Sequence, residues 1–274
     1  MRRQPLFCVV MFCVLTLLAW TLPTVQAQTA SPELVQISPP TIRRAEPPPG
    51  SASADELEKR GDELRVQKSF LDALDYYRAA LAKKPGSAAI YNKAGIAELM
   101  MQRYREAGKD FARAIHFDPT FADAVNNLGI INYEAKQYGK ALKQYEKANQ
   151  LRPDTASFFN NEGAAYFAKR DFEKAAQAYA RALQLDPDIL EHTSHSGISA
   201  QLPSPEDRAH YDYLIAKLCA KEGDHDRSLQ YLRRAMEEGY KGINDVYKDP
   251  EFAGLRKDTR FTELMAARPP AIPE

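Results

Sequence analysis

The chain has 274 residues, with 37 basic and 37 acidic side chains, so its formal charge is zero. That balance gives no electrostatic reason to expect nucleic acid or an anionic membrane surface as partner. No Gly-rich phosphate loop, Cys-x-x-Cys pair, His-Glu-x-x-His stretch or Gly-x-Ser-x-Gly elbow occurs, so no cofactor is expected and the chain does not read as an enzyme.

At the N-terminus, Arg2 and Arg3 precede an apolar run from Leu6 to Trp20, followed by Pro23 and Val25-Gln26-Ala27. This is the pattern of a secretory signal peptide over residues 1–27. The run is shorter than the roughly 20 residues that span a bilayer, so a membrane is expected only through a signal retained as an anchor. Cys8 and Cys13 lie inside the run, which leaves Cys219 as the single thiol of a processed chain and removes any intrachain disulfide. Removing Arg2 and Arg3 with the signal leaves a charge of about −2. Residues 28–53 are rich in Pro, Ser and Ala, including Pro39-Pro40 and Pro47-Pro48-Pro49, and read as an extended linker.

From residue 54 to 189 the chain repeats every 34 residues, in units 54–87, 88–121, 122–155 and 156–189. Glycine recurs at Gly61, Gly95, Gly129 and Gly163. Alanine recurs at Ala73, Ala107, Ala141 and Ala175, and again at Ala80, Ala114, Ala148 and Ala182. An aromatic column, Tyr77, Phe111, Tyr145 and Tyr179, runs between them. Each unit closes on Pro85, Pro119, Pro153 or Pro187. Small residues let two antiparallel helices approach closely, aromatics fill the remaining space, and proline ends the second helix. A glycine inside a helix costs about 1 kcal/mol against alanine, so four in register imply a packing need.

These columns resemble the tetratricopeptide repeat, with its small eighth residue, alanines at positions twenty and twenty-seven and proline at thirty-two. The family's usual tryptophan at position four is replaced by Leu57, Tyr91, Val125 and Phe159, all apolar. The resemblance implies an all-α fold, a right-handed α-solenoid of helix-turn-helix repeats, closed by a short helical C-terminal cap. It also implies work by binding, with the first helices of successive repeats lining a concave groove.

Beyond Ile189 the period is lost. Residues 190–207 are rich in Ser, His and Pro and read as a loop, where Glu191, His192 and His195 form a metal-type spacing without further ligands. An enzyme would have to place its site in the 191–207 loop. Residues 208–240 read as a divergent fifth pair, with helices over Arg208–Glu222 and Asp226–Glu238 and a turn at Gly223-Asp224. In 241–267, Asp249-Pro250-Glu251-Phe252 and Asp258-Thr259-Arg260-Phe261 each read as a capped short helix covering the end of the stack. Residues 268–274 are a Pro-rich tail.

The register nominates groove residues. The fifth and sixth positions supply Asn92, Lys93, Asn126, Asn127, Asn160 and Asn161. Such an asparagine ladder can bond the backbone of an extended peptide, or it can support the fold. The ninth and twelfth positions supply Ile96, Leu99, Ile130, Tyr133 and Phe167, with Met100 beside them at a thirteenth position, and these suit aliphatic anchors of a helical or extended partner segment or else pack inward. Lys59 and Lys93 are too few for a clamp on acidic C-terminal peptides. The chain therefore reads as a protein-binding scaffold or adaptor of a bacterial envelope, periplasmic by its signal. The alternative is a self-associating structural subunit of an envelope assembly.

Overall fold

A computed structural model of the chain describes residues 45–190 and 204–268. The signal segment, most of the linker, His192, His195 and the tail beyond Arg268 lie outside the described residues. Among those described there are helices and turns and no strand.

Eight α-helices form four hairpins: α1 (Ala54–Val66) with α2 (Phe70–Lys83), α3 (Ala88–Met100) with α4 (Tyr104–Phe117), α5 (Ala122–Glu134) with α6 (Tyr138–Leu151), and α7 (Ala156–Ala168) with α8 (Phe172–Leu185). They stack as a right-handed α-solenoid. The glycine column explains how each hairpin closes. A Cβ built on Gly61, Gly95, Gly129 or Gly163 would lie 2.6, 2.7, 2.5 or 2.7 Å from a ring carbon of Tyr77, Phe111, Tyr145 or Tyr179. The aromatic ring occupies the space the missing side chain leaves, and all four rings are buried.

Each second helix ends two residues before its proline, with one cap residue between them. The cap residues Lys84, Asp118, Arg152 and Asp186 have φ of −135°, −139°, −144° and −146° with positive ψ. A proline ring excludes the helical conformation from the residue before it, which accounts for the shared geometry. Between the two helices of each hairpin the chain turns through Lys68, Gln102, Lys136 and Arg170, all left-handed with φ between 57° and 62°. The amide one residue later then bonds a carbonyl five residues back, as in Ser69 N to Leu64 O at 2.9 Å and Gln137 N to Asn132 O at 2.8 Å.

Part of the stretch read as linker is laid along α2. Ala45 N donates to Asp72 Oδ1 at 3.1 Å, the Tyr76 hydroxyl to Glu46 O at 3.1 Å, and Lys83 Nζ to Gly50 O at 2.8 Å. Tyr76 holds the repeat position that Asp110 holds in α4, where it bonds Arg78 of the preceding repeat. Residues 45–50 therefore cover the side of α2 that a preceding repeat would cover. Ser53 and Glu56 then start α1 as a capping box.

The chain resumes with α9 (Pro205–Lys221) and α10 (His225–Glu237), antiparallel to each other and joined at Gly223, φ 83°. The pair does not continue the repeat direction. The start of α9 lies beside the start of α8, where Phe172 and His210 have ring centroids 4.1 Å apart and Arg170 pairs with Asp207 at 3.5 Å. The end of α8 meets the start of α10, where Arg227 Nη1 donates to Pro187 O. So α9 runs parallel to α8, whereas α7 runs antiparallel to α6, with Asn149 bonding Glu162 and Glu146 bonding Tyr166.

Three short 3-10 helices (Ile243–Tyr247, Pro250–Ala253, Leu255–Lys257) and α11 (Thr259–Ala267) close the chain. The second capped segment forms as read, with Asp258 accepting from Arg260 N. The first does not become a capped helix. The Asp249 side chain is drawn away to Tyr213 Oη at 2.8 Å and Lys217 Nζ at 3.0 Å, and only a 3-10 turn follows. Phe252, Leu255, Phe261 and Leu264 join the core of α9 and α10, which is continuous with repeat four through Phe167 and Tyr179.

Candidate functional site

The first helices α1, α3, α5 and α7 adjoin one another along one face of the stack. Their fifth and sixth positions form an ordered ladder. Lys93 Nζ donates to Glu58 Oε1 at 2.6 Å, Asn127 Nδ2 to Asn92 Oδ1 at 3.0 Å, and Asn161 Nδ2 to Asn126 Oδ1 at 3.1 Å. The sixth position of each repeat thus bonds the fifth position of the repeat before it. Asn126 also donates to Asn127 at 3.3 Å. Asn92, Asn126, Asn127 and Asn161 are buried and Asn160 is half-buried. The bonds of Asn127 to Asn92 and of Asn161 to Asn126 join successive repeats, so these buried side chains support the fold.

The apolar nominees divide the same way. Leu99, Ile130, Tyr133 and Phe167 are buried, so they serve as core rather than as exposed anchors. Phe167 is covered from α9, with His210 at 5.5 Å and Tyr211 at 6.2 Å between ring centroids. Tyr133 packs on Tyr138 at 5.3 Å. Ile96 and Lys93 are half-buried. The twelfth positions are therefore closed in repeats two to four, and at the thirteenth position repeat three presents the exposed carboxylate Glu134 and repeat four the half-buried Ala168. Over repeats one and two the face is open, where Val66 is 74% exposed and Met100 42% exposed. These two hold equivalent thirteenth positions, and Ile96 lies one turn before Met100. Sequence reading placed Met100 beside the groove and missed Val66, although the 34-residue register points to it.

Charge is locked in place around this opening. Lys93 also reaches Asp62 Oδ2 at 2.6 Å; burial works against its charge, but Asp62 and Glu58 outweigh that and raise its pKa. Behind the face, Arg78 of repeat one holds Asp110 Oδ2 at 2.5 Å and Glu98 Oε1 at 2.7 Å, both on buried carboxylates of repeat two. Burial, helped by Asp110 and opposed by Arg78, lifts Glu98 to about 7. Glu162 is lifted to about 7 by burial and by Glu146, against the hydrogen bond from Asn149. Asp212 is lifted to about 7 by burial, against Arg234. These carboxylates tie helices together, Glu98 through Arg78, Glu162 through Asn149 and Asp212 through Arg234. Among the described residues no group of three or more His, Cys, Asp or Glu could hold a metal, and no helix is long and apolar enough to cross a membrane.

No curated protein matches the chain. Among solved structures it is similar to a crystal structure of MamA, with 20% identity over 65% of this chain and 93% of that one and a TM-score of 0.47. It is similar to MamA 41-end from Desulfovibrio magneticus RS-1, with 20% identity, coverage of 68% and 94% and a TM-score of 0.49. The first TPR of Spaghetti (RPAP3), bound to the HSP90 peptide SRMEEVD, shares 21% identity over 47% of this chain and 94% of that one, with a TM-score of 0.38. Tetratricopeptide-repeat profiles match residues 58–120 and 156–189, and a TPR-repeat profile matches 131–170. With the 34-residue register, the glycine-on-aromatic closure of each hairpin and the proline-ended second helices, these matches make the chain a member of the tetratricopeptide-repeat family.

Proposed function

We propose that the protein is a non-enzymatic interaction scaffold of a bacterial cell envelope, and that it seats a peptide or helix of a partner protein on the first-helix face of repeats one and two. The supporting observation is the exposed pair Val66 and Met100, apolar side chains at equivalent positions on α1 and α3. Exposed apolar side chains held in register by rigid helices are the anchors that a protein interface uses. The half-buried Lys93 of α3, bonded to Glu58 and Asp62 of α1, ties the two helices together.

The test is photo-crosslinking in cells from residue 100, with adducts identified by mass spectrometry, in the parent chain and with Val66→Arg. One dominant partner adduct, lost with Val66→Arg while helicity is kept, is the expected result. A folded chain giving no adduct would remove this face as the working surface. An adduct with a second copy would favour the self-associating subunit instead.

The envelope setting rests on Arg2, Arg3 and the apolar run Leu6–Trp20 ahead of Ala27. Cell fractionation with N-terminal sequencing should find a periplasmic chain beginning at Gln28. A full-length chain in the cytoplasm would overturn that setting.

A further inference from the structure

The junction of α8 with α9 differs from every earlier junction between repeats. Position twenty-five reaches the next repeat from repeats one and three, where Arg78 bonds Glu98 and Asp110 and Glu146 accepts from Tyr166, whereas in repeat two it is the exposed Ala112. Position twenty-one is buried as Leu74 and Leu142, or is Gly108, whose added Cβ would lie 3.4 Å from Ile131. In repeat four both positions are alanine, Ala176 and Ala180, and both remain half-exposed. With α9 running parallel to α8, the two helices leave a groove between them.

The groove comprises a cavity of about 510 Å³ at the Phe172 end and one of about 280 Å³ at the Pro187 end, which share Ala180, Leu218 and Lys221. At 1.5 Å per helical residue, the span from Phe172 to Pro187 is roughly 22 Å, room for about four turns of a helix. Its floor is apolar, built from Phe172, Ala176, Ala180, Leu214 and Leu218. Its mouth is open, since Glu173, Gln177, Gln184, Lys221 and Glu222 are exposed.

Carboxylates outnumber cations around it. Glu173, Asp245, Asp249 and Glu251 line the Phe172 end, and Glu222 and Asp224 the other. The cations are Lys217, Lys221 and Arg227. Two of these are already engaged: Lys217 pairs with Asp249 at 3.0 Å and Glu251 at 3.5 Å, and Arg227 Nε bonds Asp224 at 2.5 Å. Glu173 and Glu222 are left at the rim, one near each end, against the single exposed cation Lys221 between the two cavities. A segment with an apolar stripe flanked by Lys or Arg complements both floor and rim.

We propose that the α8–α9 groove is a second docking site, which takes a basic amphipathic helix from a partner protein in place of the helix packing found at the earlier junctions. The proposal rests on the scaffold reading above, but it uses a different surface from Val66 and Met100.

The test uses the purified chain and a fluorescein-labelled 16-residue peptide with leucines at helical spacing and lysines elsewhere, read by fluorescence anisotropy. A twin peptide carries glutamate at every lysine. The lysine peptide should bind and the glutamate twin should not. Ala180→Trp, which fills the floor, should weaken binding at least tenfold, and Glu173→Lys with Glu222→Lys should weaken it without entering the core. Met100→Arg should leave it unchanged. Equal binding of the two peptides, or full affinity in the double charge reversal, overturns the proposal. Loss of peptide binding only with Met100→Arg would overturn it while leaving the scaffold reading in place. Light scattering that shows Ala180→Trp breaking a dimer would assign the groove to a second copy and also overturn it.

Discussion

Asn161 of α7 donates its side-chain amide to Oδ1 of Asn126 in α5, 3.1 Å away, and both side chains are buried. The bond crosses a repeat boundary, so it fixes the offset of one hairpin on the next. Truncating Asn126 to alanine should leave Asn161 without its acceptor and cost about 1–3 kcal/mol, the desolvation cost of a buried unpaired amide. Chemical denaturation of Asn126→Ala should show the loss, and a stability within a few tenths of a kcal/mol of the parent would contradict the ladder.

Gly129→Ala should destabilise although alanine is the better helix former. The new methyl group would lie 2.5 Å from Tyr145 Cε1 and 3.2 Å from Gln144 Cβ. Overpacking of this kind costs about 1–3 kcal/mol, more than the gain of roughly 1 kcal/mol in helix propensity. Thermal melting of the single variant, and of Gly129→Ala with Tyr145→Leu, decides the cause. Partial recovery in the double variant is expected, and none would exclude the ring as the obstacle.

Lys136 holds a left-handed backbone at φ 57° between α5 and α6. A side chain there is strained by about 1 kcal/mol, and glycine is not. Lys136→Gly should therefore raise stability by up to about 1 kcal/mol, less the entropy that glycine adds to the unfolded chain. The midpoint in urea is the measurement, and a clear drop would be inconsistent with the turn.

Glu162 gives the chain a pH dependence. Burial and Glu146 raise its folded pKa to about 7, from an unfolded value near 4.5. A carboxyl with a raised folded pKa prefers its neutral form in the fold. Its contribution is full below about pH 4.5 and is lost as pH rises through about 7. Glu162→Gln should accordingly gain stability over the parent at pH 8 and little at pH 5. An equal shift at both values would remove ionisation as the reason.

The repeat itself was legible because it is written in residues with one physical use each. Gly163 admits the Tyr179 ring, and Pro187 forces extended backbone on Asp186. The candidate groove was less legible. A register assigns Ile130 and Met100 to neighbouring positions on the inner helices, but not how deeply each is covered. Phe167 is buried because α9 returns over it, and α9 lies beyond a break in the period.

By itself, the sequence determined the length of each hairpin, its turn and its closing pair, all set by contacts within 34 residues of each other. The tertiary structure decided which inner positions stay exposed, that asparagines 35 residues apart bond one another, and that α9 runs parallel to α8 and leaves a groove. Those outcomes depend on how one hairpin is offset and oriented on the next. Several side chains of separate repeats set that offset together, and no single column of residues encodes it.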